Sequence, residues 1–178
     1  MTAFLCPVCG AALEEEKECL RCGSGHIFDK ARSGYVNLLP PNGKRAKLPG
    51  DNKLMVNARR DFLEKGYYAP FAEAVAAAAA KHLAGKRRPV LLDAGCGEGY
   101  YSARLADALG MHLTGMDISR EAVRCAAGKY KNGLWLCATA SHIPVADHSC
   151  RLLTSLFALT MPEEFKRVLQ PEGYFFQV

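Results

Sequence analysis

Val90-Leu91-Leu92-Asp93-Ala94-Gly95-Cys96-Gly97-Glu98-Gly99-Tyr100 is a short apolar run, then an acid, then glycine at every second position. The apolar run reads as a buried strand that ends at Asp93. Glycines so spaced let the backbone turn tightly and lie close to a ligand. The spacing differs from that of a dinucleotide-binding turn, whose last glycine comes three residues after the second, and no phosphate-binding lysine follows. An acid directly before the glycines also argues against a pyrophosphate. A carboxylate at Asp93 suits a cationic amino-acid head group instead.

From this turn the chain alternates strands and helices. Ser102–Leu109 reads as a helix, and His112–Met116 as a strand ending at Asp117. Ser119 can cap a helix that runs to Tyr130. Leu134–Ala138 is a third strand and Arg151–Leu156 a fourth. A helix over Glu163–Leu169 then leads to a fifth strand, Tyr174–Val178. Upstream, Asn52–Lys65 reads as a helix with Leu54, Met55, Ala58 and Phe62 on one face. The alanine-rich Pro70–Ala84 is another, closed by Gly85. Strict alternation predicts a parallel sheet with helices on both faces, a Rossmann-like α/β fold.

Asp117 ends the strand after the glycine turn, 24 residues beyond Asp93. That is where an acid can accept from ribose hydroxyls. Thr139-Ala140-Ser141 ends the third strand, where an adenine ring would lie. Together these describe a cradle for S-adenosylmethionine. Its expected lining is Asp93, Gly95, Cys96, Gly97, Glu98, Gly99 and Tyr100 on the glycine turn, Asp117 and Ile118 after the second strand, and Thr139, Ala140 and Ser141 after the third.

The first 26 residues carry Cys6-x2-Cys9-x12-Cys22-x3-His26, the spacing of a zinc site built from two short turns. Cys19 precedes Cys22 by three, so an all-thiolate set of Cys6, Cys9, Cys19 and Cys22 is equally open on spacing. A module this small buries too little apolar surface to hold itself, and a metal would supply folding energy on the order of 10 kcal/mol. Glu14 to Glu18 form a solvent-facing hairpin tip. Cys96, Cys125, Cys137 and Cys150 fall in apolar segments and read as small core residues.

The 178 residues are 49% apolar, enough for a core. The sequence has no apolar run long enough for a membrane span and no signal-peptide core, and its thiols have metal-type spacing. These features predict a cytoplasmic protein with no membrane partner. Residues 30–65 hold nine Lys or Arg against three Asp or Glu, a surplus of +6 in a chain of net charge +5. Such a connector suits a polyanion, most simply nucleic acid, with Lys44, Arg45, Lys47, Arg59 and Arg60 as candidate phosphate contacts. An ordinary solvated linker is the competing reading. The organisation expected is a zinc module over 1–33, a basic connector and helix over 34–69, and an S-adenosylmethionine-binding domain over 70–178.

Asp93 to Tyr101 resembles motif I of class I methyltransferases. The cysteine array resembles, further, the RlmA-type methyltransferases of large-subunit (23S) ribosomal RNA, and so do His26-Ile27-Phe28-Asp29, Gly34-Tyr35-Val36-Asn37-Leu38-Leu39, Gly50-Asp51, Ala58-Arg59-Arg60 and Phe62-Leu63. That resemblance implies S-adenosylmethionine and zinc as cofactors, and methylation of guanine N(1) in a hairpin loop of that RNA. A homodimer is a candidate assembly. The resemblance also implies Cys6, Cys9, Cys22 and His26 as zinc ligands, which leaves Cys19 as an extra thiol. It further implies that Tyr68 contacts the methyl donor.

Two departures accompany it. Thr139 stands where many class I methyltransferases place an acid. The sheet is expected to stop after its fifth strand at Val178, short of the usual seven, as in a truncated chain, so that Tyr174–Val178 forms an apolar edge. Proton removal from guanine N(1) calls for a general base. Asp147, His142 and His148 lie in the right region, but none stands out, and no catalytic residue is assigned. Ser155-Leu156-Phe157-Ala158 occupies the usual acceptor loop without the Asn-Pro-Pro-Tyr pattern of exocyclic-amine methyltransferases, which is consistent with a ring-nitrogen target. A methyltransferase of small molecules or proteins, and a non-catalytic RNA- or donor-binding protein, are the alternative readings.

Overall fold

A computed structural model describes residues 4–40, 50–83 and 90–178. Four short strands, β1 (Phe4–Leu5), β2 (Ala12–Glu15), β3 (Cys19–Cys22) and β4 (Ile27–Asp29), form an antiparallel sheet in sequential order. The β2–β3 tip is exposed and held by ion pairs of Glu15 with Lys30 and of Glu16 with Arg21, each at 2.7 Å.

The chain continues through β5 (Val36–Asn37), α1 (Lys53–Leu63), α2 (Ala69–Leu83), β6 (Val90–Ala94), α3 (Tyr100–Leu109) and β7 (His112–Asp117). Then follow α4 (Arg120–Lys129), β8 (Gly133–Cys137), β9 (Cys150–Ser155), α5 (Pro162–Val168) and β10 (Leu169–Gln177). The six strands of the second sheet pair in parallel in the order β10-β9-β6-β7-β8-β5. Leu91, Leu92, Leu152 and Leu153 are fully buried at its centre, as expected for strands covered on both faces.

Three features differ from the sequence reading. Val36–Asn37, outside the five strands of the sheet read from the sequence, forms a sixth strand beside β8, pairing Val36 with Leu136 and Asn37 with Cys137. Buried Tyr35 anchors it by accepting from Arg120 Nε at 2.7 Å. The final strand starts at Leu169 instead of Tyr174, and its register jumps between those two residues. On α1 the face is reversed: Val56 and Leu63 are buried, whereas Leu54, Met55, Ala58 and Phe62 face outward. Hydrophobic spacing reports a face, but not which neighbour covers it.

The two sheets share a core. Phe4, Leu13 and Leu20 pack in one cluster with Val36, Leu38, Met116, Leu136, Ile143 and Val145. Leu5 N donates to the Pro144 carbonyl at 3.0 Å, and Phe4 bridges Val145. The small sheet is thus joined to the large one by backbone as well as side chains.

Candidate functional site

At the small sheet, Cys6 and Cys9 flank a turn closed by Gly10 N donating to the Cys6 carbonyl at 2.8 Å. A second turn, from Cys22 to His26, is closed by Gly25 N donating to the Cys22 carbonyl at 2.9 Å. Gly10 and Gly25 adopt φ of +74° and +84°, a conformation other residues rarely take. The turns bring the ligand atoms of Cys6, Cys9, Cys22 and His26 within 4.8 Å of one another. His26 Nδ1 lies 3.6 Å from Cys6 Sγ and 3.4 Å from Cys22 Sγ, and Cys9 Sγ lies 3.7 Å from Cys22 Sγ. A tetrahedron with Zn–S near 2.3 Å and Zn–N near 2.1 Å has edges of roughly 3.4–3.8 Å, so the donor set fits zinc. The backbone N–H of Ala11 is the first of several contacts that hold the Cys9 thiol down to about 6, which favours the thiolate ligand. Cys19 stands apart: its Sγ donates to Glu16 Oε2 at 3.2 Å.

The second site lies across the carboxyl ends of β6, β7 and β9, where strand order reverses between β6 and β9. Open parallel sheets bind ligands there. A chamber of about 510 Å³ is lined by Gly95 to Glu98, Asp117, Ile118 and Leu156 to Leu159, and on its outer side by Gly50, Asp51, Arg59, Phe62, Leu63, Tyr68 and Tyr101. A smaller chamber of about 230 Å³ is lined by Thr139, Ala140, Ser141 and Met161. The two share Gly95, Asp117, Ile118, Ala158 and Leu159.

Asp117 sets the shape of this cleft. Its Oδ2 accepts from Gly97 N at 2.9 Å and its Oδ1 from Ser119 N at 2.7 Å. Burial pushes its carboxyl above the usual range, and the two N–H donors oppose that shift. Burial likewise raises Glu98. At Gly95 (φ +89°) an added Cβ would come within 2.3 Å of the Ala158 Cβ, so glycine is what lets the loop after β9 close over the turn. The Ser119 hydroxyl accepts from Ala122 N and donates to the Asp51 carbonyl, pinning the Gly50-Asp51 backbone at the rim. Arg59 is ion-paired with Asp51.

Three residues expected at the ligand stand behind the cleft instead. Asp93 is fully buried and lines neither chamber; its oxygens accept from the Thr154 hydroxyl at 2.6 Å and from the Ser102 hydroxyl. Burial raises its carboxyl. It ties β6 to β9 and α3, where a head-group contact was expected. Gly99 begins α3 and faces Trp135: an added Cβ would lie 2.7 Å from that ring. Tyr100 is buried under the Arg104 guanidinium, 4.4 Å from its ring centre. A glycine motif specifies the turn, but not which glycines meet ligand and which meet core.

Of the expected phosphate contacts, Lys44, Arg45 and Lys47 lie outside the described residues. Arg59 points into the large chamber, while Arg60 pairs with Asp61 at 2.7 Å and faces α4 beside Lys53 and Arg124. The base candidates lie off the cleft lining. His148 Nδ1 meets the Leu169 carbonyl at 2.9 Å, Asp147 pairs with Arg167 at 2.8 Å, and His142 is exposed. Sequence reading missed Asp51 and Leu159 as lining residues, while Phe157 lies in the loop it read as the acceptor loop. Gly50-Asp51 among basic residues was the available signal for the first. Cys125, expected in the core, is half-exposed on α4 beside Arg60.

A parallel sheet with its cleft at the strand-order reversal, a glycine turn after β6 and an acid after β7 define the class I methyltransferase fold. Residues 4–47 match the zinc-ribbon family model described as RlmA, N-terminal, and residues 92–177 match a methyltransferase domain model. The chain thus pairs an RlmA-type zinc-ribbon domain with a methyltransferase domain. It is 36% identical to a Streptomyces fradiae protein named 23S rRNA (guanine(748)-N(1))-methyltransferase, over 94% of this chain and 60% of that protein. It is 38% identical to a Micromonospora griseorubida protein that bears a provisional name as a 23S rRNA (guanine-N(1)-)-methyltransferase, over 94% of this chain and 62% of that protein. The chain therefore spans about three fifths of the length of these relatives. In fold it is similar to a Methanococcus maripaludis structure described provisionally as an S-adenosyl-L-methionine-dependent methyltransferase. The TM-score is 0.62 at 19% identity, covering 76% of this chain and 67% of that one. The cleft fits S-adenosylmethionine: an Asp117 carboxylate lining both chambers, close backbone at Gly95 and Gly97, and a second chamber at Thr139–Ser141 match an amino-acid nucleoside. No helix among the described residues is long and apolar enough to cross a membrane.

Proposed function

We propose that this chain carries the donor-binding and RNA-recognising parts of an enzyme that methylates N(1) of a guanine in a hairpin of 23S ribosomal RNA, in the cytoplasm. The observation that carries the reading is the union of two sites in one body. A Cys3His donor set shares its core and a strand bridge with a methyltransferase cleft. The names borne by the relatives supply the reaction and the RNA.

In this reading Cys6, Cys9, Cys22 and His26 hold zinc. Gly95, Gly97, Asp117 and Ile118 hold the donor's amino-acid and ribose parts, and Thr139–Ser141 the adenine. When bound, the donor supplies an electrophilic methyl group on a sulfonium. The chain's own task is then to place the accepting nitrogen in line and exclude water. The loop after β9 roofs the glycine turn through Ala158, and buried Leu156 backs it with apolar surface. Asp51, Glu98 and Asp117 are the lining carboxylates that could stand near a departing proton.

The test is transfer of a labelled methyl group from S-adenosylmethionine to 23S rRNA, with the product nucleoside mapped by mass spectrometry. N(1)-methylguanosine in one hairpin is expected. Methylation at an exocyclic amine, or of protein or small molecules with the RNA untouched, would overturn the reading.

A further inference from the structure

The outer half of the large chamber is built from aromatic rings, of which only Tyr68 was expected at the donor. Phe62 comes from α1, Tyr68 from the turn before α2, Tyr101 from α3 and Phe157 from the loop after β9, and all four line the chamber. Their rings form one network. Tyr68 lies 5.8 Å from Phe62, 6.5 Å from Tyr101 and 6.2 Å from Phe157, and Tyr101 lies 5.9 Å from Phe157. Phe71 backs it, 5.5 Å from both Tyr101 and Phe157. None of the four lines the smaller chamber at Thr139–Ser141.

This wall is open. Phe157 is 59% exposed, Phe62 46% and the neighbouring Leu159 76%. Contiguous exposed apolar surface marks a binding site more often than chance. Phe157 also holds φ at +58°, a conformation that disfavours a bulky residue. It is fixed there by its N–H donating to the Val178 carbonyl at 2.8 Å and by Ala158 against Gly95. Strain that keeps a ring exposed instead of buried points to a ligand. The polar complement sits at the same rim: Arg59 is the one cation among the described lining residues, and it is fixed by Asp51. A guanidinium is the usual partner of guanine O6 and N7.

We propose that Phe62, Tyr68, Tyr101 and Phe157 form the seat for an unstacked guanine presented to the methyl donor, with Phe157 as the ring on which the base stacks. The inference rests on the rRNA reading above and adds to it how the acceptor base is held. A base paired or stacked in RNA cannot present N(1) to a recessed cleft, so it must leave its stack. Aromatic faces offset that loss.

The experiment uses a 23S rRNA hairpin in which each loop guanine is replaced in turn by 2-aminopurine, a base whose fluorescence reports stacking. Wild type, Phe157→Ala, Phe157→Leu and Phe157→Tyr are compared, with thermal melts as the folding control. S-adenosylhomocysteine binding is measured for each by calorimetry. Wild type and Phe157→Tyr should alter the fluorescence at one loop position. Phe157→Ala and Phe157→Leu should lose that change and bind the hairpin about 5- to 150-fold more weakly. Their salt slope should stay unchanged, because no phosphate contact is lost, and their affinity for S-adenosylhomocysteine should stay within about twofold. Should Phe157→Ala fail to fold, Phe157→Leu decides. Loss of S-adenosylhomocysteine binding would assign the ring to the donor and overturn the seat. Unchanged fluorescence and affinity in both variants would show that the rings serve another occupant, and overturn it too. A wild type that binds no hairpin would overturn the rRNA reading itself, and the seat with it.

Discussion

Gly97→Ala and Gly99→Ala add the same methyl group two residues apart, and the structure dictates opposite results. Both positions have positive φ, +56° and +85°. There an L side chain costs roughly 1–2 kcal/mol, offset by about 0.4–1 kcal/mol through the stiffer unfolded chain. At Gly97 the Cβ meets nothing within 4 Å. The net loss should be about 1 kcal/mol, or about 2–4 °C in Tm. At Gly99 the Cβ would lie 2.7 Å from the Trp135 ring and 3.0 Å from the Ala126 Cβ. Trp135 is buried, and its Nε1 donates to the Tyr130 carbonyl at 2.8 Å, so it cannot swing aside. Overpacking adds roughly 1–3 kcal/mol, which brings the total to about 2–4 kcal/mol and the loss in Tm to about 5–15 °C. Donor binding should run the other way. Gly97 lines the cleft and Gly99 does not, so Gly97→Ala should weaken S-adenosylhomocysteine about tenfold or more. Gly99→Ala, assayed well below its Tm, should stay within about threefold. Scanning calorimetry and titration calorimetry on both variants read the two axes. A Gly99→Ala protein that melts with wild type, or a Gly97→Ala protein that binds like wild type, would refute this division of labour.

Three other outcomes are expected. Metal analysis should find one zinc per chain, kept in Cys19→Ser and lost in His26→Ala; the reverse pattern would replace the ligand set. Because burial raises Asp93, the cost of its charge is absent below the ordinary carboxylate pKa and grows as pH rises through the folded value. The Tm of Asp93→Asn relative to wild type should therefore increase with pH in thermal melts, and a flat difference would mean that the group does not titrate. In a salt series with an rRNA hairpin, Lys44→Ala, Arg45→Ala and Lys47→Ala combined should flatten the logarithmic slope by about three units or slightly less; an unchanged slope and affinity would make the connector a plain solvated linker.

Much of this architecture was legible because local rules and global fold agree. The β6 run, its glycine turn, the acid ending β7 and the cap at Ser119 all follow from residue type at fixed spacing, and each forms where expected. What was not legible depended on partners far along the chain. Val36–Asn37 joined the large sheet because β8 offered a free edge, which two residues cannot announce. Asp93 looked like a ligand contact because an acid beside glycines has two uses. Thr154, 61 residues away, decided between them. The same holds for α1. Its apolar residues are split between a buried stripe at Val56 and Leu63 and an outward one at Leu54, Met55 and Phe62, and only the placement of α4 tells them apart.

The two arginines of α1 show how this placement bears on function. As neighbours on a helix they cannot face the same way, and they do not. Arg59 turns into the donor cleft and pairs with Asp51, whose carbonyl is held by Ser119 at the start of α4. Arg60 turns to the groove between α1 and α4, beside Lys53 and Arg124. A basic connector read as one phosphate-binding stretch therefore divides into two roles. The inward arginine lines the cleft, and its substitution should affect base or donor contacts with little change in salt dependence. The outward one lies on an open, cation-rich face and should act mainly through counterion release. Charge counted along the sequence cannot separate these roles. The direction in which each guanidinium leaves the helix does.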